Sequence, residues 1–331
     1  MGKEKTKSTY RTIDLFAGIG GMRLAFESAG FSTVFSNDIE KNCKKTYDSN
    51  FNKTPLHVED INNLDISEIP SFDVLVAGFP CQAFSIAGYR QGFQDKKGRG
   101  NLFFRIADII SERKPKAILL ENVKNLKCHD KGKTFKIIKK TLEELGYYIK
   151  FEVLNSRTHS NIPQNRERIF IVGFLDEQKY KNFRFPDKVS LTKNFKEFLI
   201  KDITEKYYYE GKPLHDRIKN DVISEELVYQ WRRKYVRANK KGVVPTLTAN
   251  MGRGGHNVPI IKTSKGIRKL TPRECFKLQG FPNDFQLPEE LSDSELYHQA
   301  GNSVTVKVVE RIAEEMKKVL DNFKVDKPSK V

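Results

Sequence analysis

Cysteine is scarce in this 331-residue chain and never paired in sequence: Cys43, Cys81, Cys128 and Cys275 stand far apart, with no CxxC. That spacing excludes a disulfide framework and a zinc site, so no bound metal is expected. A reducing, intracellular and cytoplasmic setting fits it best. No apolar run nears the roughly 18 residues of a membrane-spanning helix, and no membrane association is expected. Residues 1–12 are charged and polar, unlike a secretory signal. Internal repeats and low-complexity tracts are also missing. Acidic residues are outnumbered, with 42 Asp+Glu against 59 Lys+Arg and a formal net charge of +17. Such an imbalance favours a polyanionic partner, nucleic acid being the commonest, or reflects only a solvated basic surface. The length suits one large α/β domain with a smaller one.

Strand and helix patterns alternate through the first half. Residues 12–16 read as a strand that runs into Ala17-Gly18-Ile19-Gly20-Gly21 and an amphipathic helix over 22–29, ended by Gly30. Strand, glycine turn and helix bring backbone N–H groups close to a nucleotide-like ligand. Arg23 occupies the place of the third glycine of GxGxxG, which weakens a dehydrogenase reading. The next strand, 32–36, ends in Asn37-Asp38, and Asp38 lies 20 residues beyond Gly18. An acid at that spacing can accept hydrogen bonds from the ribose hydroxyls of an adenosine. A helix over 41–50 follows. Residues 58–61 close a third strand, with Asp60 either placed for an adenine amine or sitting in a surface turn.

The chain is organised around Gly78-Phe79-Pro80-Cys81-Gln82-Ala83-Phe84-Ser85. The apolar run 73–77 reads as a buried strand that Gly78 and Pro80 end abruptly. Cys81 is thereby delivered to a strand's carboxyl end, the edge where open α/β sheets bind ligands. Glycines 88, 92, 98 and 100 follow, with Arg90, Lys96, Lys97 and Arg99 among them. A thiol at the root of a basic, glycine-rich loop is either a nucleophile acting on nucleic acid or a buried structural cysteine. A helix over 102–112 leads to another buried strand, 116–120, which ends in Glu121-Asn122-Val123. Glu121 would lie on the same edge as Cys81, or else cap a helix at the surface. In Pro163-Gln164-Asn165-Arg166-Glu167-Arg168 the two arginines are i, i+2 and point to one side of an extended segment. Paired guanidiniums suit a phosphate or a base carbonyl, and a salt-bridge ladder with Glu167 is the alternative.

From about residue 175 the alternation fades. Between Arg232 and Lys241 six of ten residues are basic, with Tyr235 among them and Trp231 just before. Basic residues mixed with aromatics meet the needs of both backbone and base contact. Residues 175–265 read as a separate small unit or an insertion with a solvated basic face. Thr271, Pro272 and Glu274 form a capping-box pattern that opens a helix. Gly301-Asn302-Ser303 precedes a final helix over 304–320.

These motifs stand in a recognisable order: Asp14-Leu15-Phe16-Ala17-Gly18-Ile19-Gly20-Gly21, Gly78-Phe79-Pro80-Cys81-Gln82, Glu121-Asn122-Val123, Gln164 to Arg168, Arg273-Glu274-Cys275 to Gly280-Phe281-Pro282, and Gly301-Asn302-Ser303-Val304. The series resembles the C5-cytosine DNA methyltransferases of bacterial restriction-modification systems over residues 12–315. The resemblance implies an α/β fold with a Rossmann-like sheet, a smaller target-recognition domain and a DNA cleft between them. Residues 1–174 would be catalytic, 175–285 would recognise the target, and 286–331 would return to the catalytic domain. S-adenosyl-L-methionine (AdoMet) would lie against Phe16, Gly18, Gly20, Asp38, Ile39, Asp60, Ile61, Pro80, Leu102, Asn302 and Ser303. Cys81 would be the nucleophile at cytosine C6. Glu121 would contact N3 and the exocyclic amine, and Arg168 would steer the base carbonyl with Arg166 in support. Ser85 and Arg99 would contact phosphates, Arg232 or Arg233 would fill the gap left by a flipped base, and Thr246 and Arg253 would touch the DNA. The partners implied are double-stranded DNA and a cognate restriction endonuclease, with the enzyme acting as a monomer in the bacterial nucleoid. A tRNA cytosine-5 methyltransferase or a non-catalytic DNA-binding protein on the same fold are the alternatives.

Overall fold

The computed structural model describes residues 9–80, 102–239, 242–251 and 258–321. Seven strands form one sheet: β1 (Arg11–Leu15), β2 (Ser32–Asp38), β3 (His57–Val58), β4 (Val74–Gly78), β5 (Ala117–Val123), β6 (Tyr148–Asn155) and β8 (Glu167–Phe174). Their order is β3-β2-β1-β4-β5-β8-β6. The pairs from β3 to β5 are parallel, and β8 runs antiparallel to both β5 and β6. A mostly parallel sheet needs helices on both faces, and its central strands are then apolar throughout. Val74, Leu75, Val76 and Ala77 of β4 are accordingly all buried.

Alternate side chains feed two cores. Ile13, Leu15, Leu75 and Ala77 pack with α3 (Leu102–Arg113) and α4 (Lys133–Glu144). Val74, Val76, Leu119 and Val172 share the other core with α1 (Gly21–Ser28) and α2 (Lys41–Asn50). That core also takes Val308, Ile312 and Met316 from the last helix, α7 (Val306–Asp321). The Tyr10 hydroxyl donates to the Leu320 carbonyl at 2.7 Å, so α7 is tied beside β1 and α1.

A second, antiparallel sheet has the order β10-β9-β12-β13: β9 (Val228–Trp231), β10 (Val236–Asn239), β12 (Ile260–Thr263) and β13 (Gly266–Lys269). It carries its own small core of Ile218, Val222, Tyr229, Trp231, Ile260 and Ile267. A third, two-stranded parallel sheet joins β7 (Gln164–Asn165) to β11 (Val244–Pro245). Helix α5 (Pro272–Leu278) opens with the expected capping box: Thr271 Oγ1 accepts from the Glu274 N–H, and Glu274 Oε2 accepts from the Thr271 N–H.

Three local expectations shift. β2 runs to Asp38 and β5 to Val123, so Asp38, Glu121 and Asn122 lie inside strands rather than beyond them. β3 is only His57–Val58, and Asp60 sits in the turn after it. Helix α6 (Asp293–Asn302) is not expected from the sequence, and it places Gly301 and Asn302 in its last turn. Among the described residues no helix is long and apolar enough to cross a membrane.

Candidate active site

The carboxyl ends of β1, β2, β4 and β5 line up on one edge. At β1 the chain turns through Phe16 (φ 57°) and Gly18 (φ 55°) into α1. Asp38 holds this turn: its Oδ2 accepts from the Gly18 N–H at 2.7 Å, and its Oδ1 accepts from the Glu40 N–H at 2.9 Å. Burial raises the pKa of Asp38 against these backbone donors. Each oxygen keeps a further lone pair for a ligand hydroxyl. A Cβ at Gly18 would meet nothing within 4 Å, so space opens in front of the turn, whereas one at Gly20 would strike the Phe51 ring at 2.3 Å. The two glycines therefore serve different ends, an open floor and a close packing contact. Beside Asp38, the Ile39 side chain is 60% exposed, an unusual position for an isoleucine.

The other expected cofactor contacts fall into two groups. Phe16 and Leu102 are half-buried over the core under α3, and Ile61 is buried there. Pro80 is exposed at the β4 exit. Asp60 caps its own turn, its Oδ1 accepting from the Asn62 N–H and Nδ2 at 2.9 Å each. Asn302 is exposed and bonded to His298, while the Ser303 Oγ lies 2.6 Å from where a Cβ on Gly21 would be. Beneath the turn, Asp14 accepts one hydrogen bond from the Arg23 N–H, and its buried Oδ1 has no partner among the described residues. Burial pushes this carboxyl up to about 8.

Glu121 is paired in register with Gly78 on β4 and with Phe170 on β8. Its Oε1 lies 3.0 Å from Arg168 Nε, and its Oε2 is 3.7 Å from where a Cβ on Gly78 would stand. Glu121 is 8% exposed, and burial raises its pKa against the pull of Arg168 and Arg166. Next to it, buried Asn122 donates through Nδ2 to the Phe79 carbonyl at 2.8 Å. That bond clamps the backbone two residues before position 81. Cys81 itself, with Ser85, Arg99 and Arg253, lies outside the described residues. Of the other thiols, Cys43 and Cys275 have pKa values raised by burial, and Cys128 is exposed on the segment between β5 and α4.

Arg166 departs from the expectation of two guanidiniums aimed at one phosphate or base carbonyl. It is 2% exposed, with Nη1 donating to the Leu247 carbonyl at 2.6 Å. Nη2 donates to the carbonyls of Gly301 at 3.2 Å and Ser303 at 2.5 Å. Three carbonyls from distant parts of the chain converge here, so the guanidinium is engaged inside the protein. Two glutamines extend the junction. Gln164 bonds to the Leu278 carbonyl, the Gln279 side chain and the Leu247 N–H. Gln279 bonds to the carbonyls of Ala300 and Ser303. Sequence reasoning gave Gln164 and Gln279 no role, although a glutamine beside an apolar strand is the one visible signal.

Residues 10–318 match the C-5 cytosine-specific DNA methylase family. The chain belongs to that family. The methylase is 54% identical over 309 residues to type II methyltransferase M.Bsp6I of Bacillus sp. (strain RFL6), covering 92% of this chain and 97% of that one. It is 43% identical to M.SsoII of Shigella sonnei (95% and 81% covered) and 38% identical to M.HhaI of Haemophilus parahaemolyticus (94% and 95% covered). Its fold is shared with the crystal structure of S. pombe Dnmt2 methyltransferase, at a TM-score of 0.73 and 20% identity over 96% of this chain and all of that one. The enzyme is thus a DNA (cytosine-5-)-methyltransferase on a mixed α/β fold.

Of the residues of the methylase expected to meet DNA, Arg232 and Arg233 belong to the second sheet and Thr246 to the β7–β11 pair. Arg232 and Arg233 are exposed in the turn between β9 and β10, and Arg233 adopts φ 65°. Thr246 is half-buried, its Oγ1 donating to the Asn165 carbonyl at 2.6 Å, so it secures the β7–β11 pair.

Proposed function

We propose that the enzyme methylates C5 of a cytosine flipped out of a specific short duplex sequence, through a covalent bond from Cys81 to C6, with S-adenosyl-L-methionine as methyl donor. One observation carries the reading. The Glu121–Arg168 pair sits at the end of β5, in register with Gly78, three residues before Cys81. The Gly18–Asp38 turn lies on the same sheet edge.

The residues present fit the cofactor. Gly18 leaves open space, Asp38 has lone pairs free for ribose hydroxyls, and exposed Ile39 offers an apolar surface to an adenine. When bound, AdoMet supplies an electrophilic methyl group on sulfur. Cytosine C5 is too weak a nucleophile to take it unaided. Addition of the Cys81 thiolate at C6 forms an S–C bond and moves the ring electrons toward C5 and N3. Burial favours the neutral form of Glu121 against the pull of Arg168 and Arg166, and in that form it can donate at N3 as that charge develops, while its other oxygen accepts from the exocyclic amine. Arg168 spends Nε on Glu121 and Nη1 on the Glu167 carbonyl, at 2.8 Å, which leaves Nη2 to meet the base carbonyl. After methylation, loss of the C5 proton and expulsion of the thiolate restore the aromatic ring. This geometry cannot be reached within a stacked duplex, so the base must turn out.

Residues 1–174 supply this site, 175–285 the surface that reads DNA, and 286–331 the return to the first domain. Relatives named type II methyltransferases support pairing with a cognate restriction endonuclease. The test is duplex DNA carrying 5-fluorocytosine at the methylated site, since fluorine cannot leave as a proton does. With AdoMet present a denaturation-stable protein–DNA adduct is expected, and Cys81→Ser is expected to abolish it. No adduct, or methyl transfer retained by Cys81→Ser, defeats the mechanism. Transfer to tRNA but not to duplex DNA defeats the substrate.

A further inference from the structure

β9 and β10 form a hairpin with two unlike faces. Tyr229, Trp231 and Val236 turn into the small core of the second sheet. On the opposite face Gln230 stands directly across from Arg237, and Asn239 follows two residues on from Arg237. This polar face, with Arg232, lines a cleft of about 250 Å³ whose far wall includes Asn165 and Thr246. Among the described residues the side chains of Gln230, Arg232, Arg237 and Asn239 make no hydrogen bond or ion pair with each other or with neighbours. Gln230 is only 8% exposed, and what remains open of it faces this cleft, where its amide is free to take a ligand's donor and acceptor.

The chemistry narrows the ligand. Among the described residues no carboxylate lines the cleft, so acceptors are wanted. A row of phosphates is matched by cations alone, whereas two amides among the guanidiniums present donors and acceptors together, as a base edge does. A two-stranded ribbon fits the roughly 12 Å width of a major groove. Resting on the function proposed above, we infer that this cleft reads base edges beside the target cytosine. Arg237 is the reader of a guanine through O6 and N7, and Gln230 contacts the same or the adjoining pair. Asn165 is three residues before Arg168. That separation is at most about 10 Å along an extended chain, so the cleft adjoins the arginine proposed to meet the flipped base, and the guanine belongs to the sequence next to the target cytosine.

The experiment uses the full chain with AdoMet on a duplex library randomised around cytosine, read by bisulfite sequencing. The wild type is expected to methylate a fixed consensus that includes a guanine close to the target. Arg237→Ala is expected to methylate still, with unchanged melting, but to lose about 5- to 150-fold of discrimination for guanine at one position only. Arg237→Gln is expected to shift that position toward adenine, and Gln230→Ala to relax the same or a neighbouring position. An unchanged consensus in Arg237→Ala, or a uniform loss at every site, overturns the assignment. A wild type that methylates no duplex cytosine overturns the function beneath it, and the two failures are distinguishable.

Discussion

Replacing Arg166 with alanine separates two readings of one residue. If Arg166 is a phosphate contact, the loss falls on DNA affinity and the protein melts as before. The structure instead gives it three buried carbonyl partners, those of Leu247, Gly301 and Ser303. Hydrogen bonds from a charged donor contribute about 1.5–3 kcal/mol each. Even at the low end, three amount to about 4.5 kcal/mol, and the carbonyls left behind are buried. Unfolding entropy scales at about 2.1 cal/mol/K per residue, or about 0.7 kcal/mol/K for this chain. Arg166→Ala is therefore expected to melt about 6 °C below wild type. Arg166→Lys keeps the charge but not the planar fork, and should fall between the two. Thermal unfolding without DNA reads the effect, and DNA binding across a salt series reads the alternative. A phosphate contact would instead flatten the slope of log K against log salt by about 0.9 with melting unchanged. Melting within about 1 °C of wild type would refute the staple.

Two further substitutions probe the same frame. Gly301→Ala would place a methyl 2.1 Å from the carbonyl carbon and oxygen of Thr248, which are backbone atoms that no rotamer change can move. Overpacking of about 1–3 kcal/mol or more is expected, with lower melting and weaker methylation, and a variant that melts like wild type would show that this contact yields freely. Asp14→Asn tests the buried carboxyl. The folded state holds that proton up to about 8, whereas an unfolded aspartic acid releases it near 3.9. The native state therefore binds the extra proton between those values. The associated stability is fully present below about 4 and is lost as the pH rises through about 8, on the order of 5 kcal/mol in all. Asparagine does not titrate, so the stability of the variant relative to wild type should grow across that window in denaturant melts. A difference that stays constant from pH 5 to pH 8 would show that Asp14 is ionised in the fold.

Local chemistry was legible in the sequence, and distant partnership was not. The Gly18-to-Asp38 spacing could be read because one β-α-β unit sets it, and the structure bonds the two at 2.7 Å. The capping box of Thr271 and Glu274 spans three residues and could be read for the same reason. That Glu274 also makes a buried pair with Arg268, at 2.8 Å on each arm, follows only from the way β13 meets α5. Arg166 and Arg168 share one side of the chain, as an i, i+2 pair should, yet their roles diverge. Arg168 finds Glu121 across the β5–β8 ladder, while Arg166 finds carbonyls 81 and 135 residues away. Helix α6 escaped notice because its buried face mixes Leu296 and Tyr297 with Gln299, Ala300 and Gly301, too short and too polar a set to read as an apolar stripe. The same rule governs the reading of DNA. Gln230 and Arg237 are seven positions apart and meet only once the hairpin sets their register. A pattern search over 175–265 can therefore find basic charge but not the pair that would distinguish one base from another, because specificity there resides in a cross-strand contact and not in a run of residues.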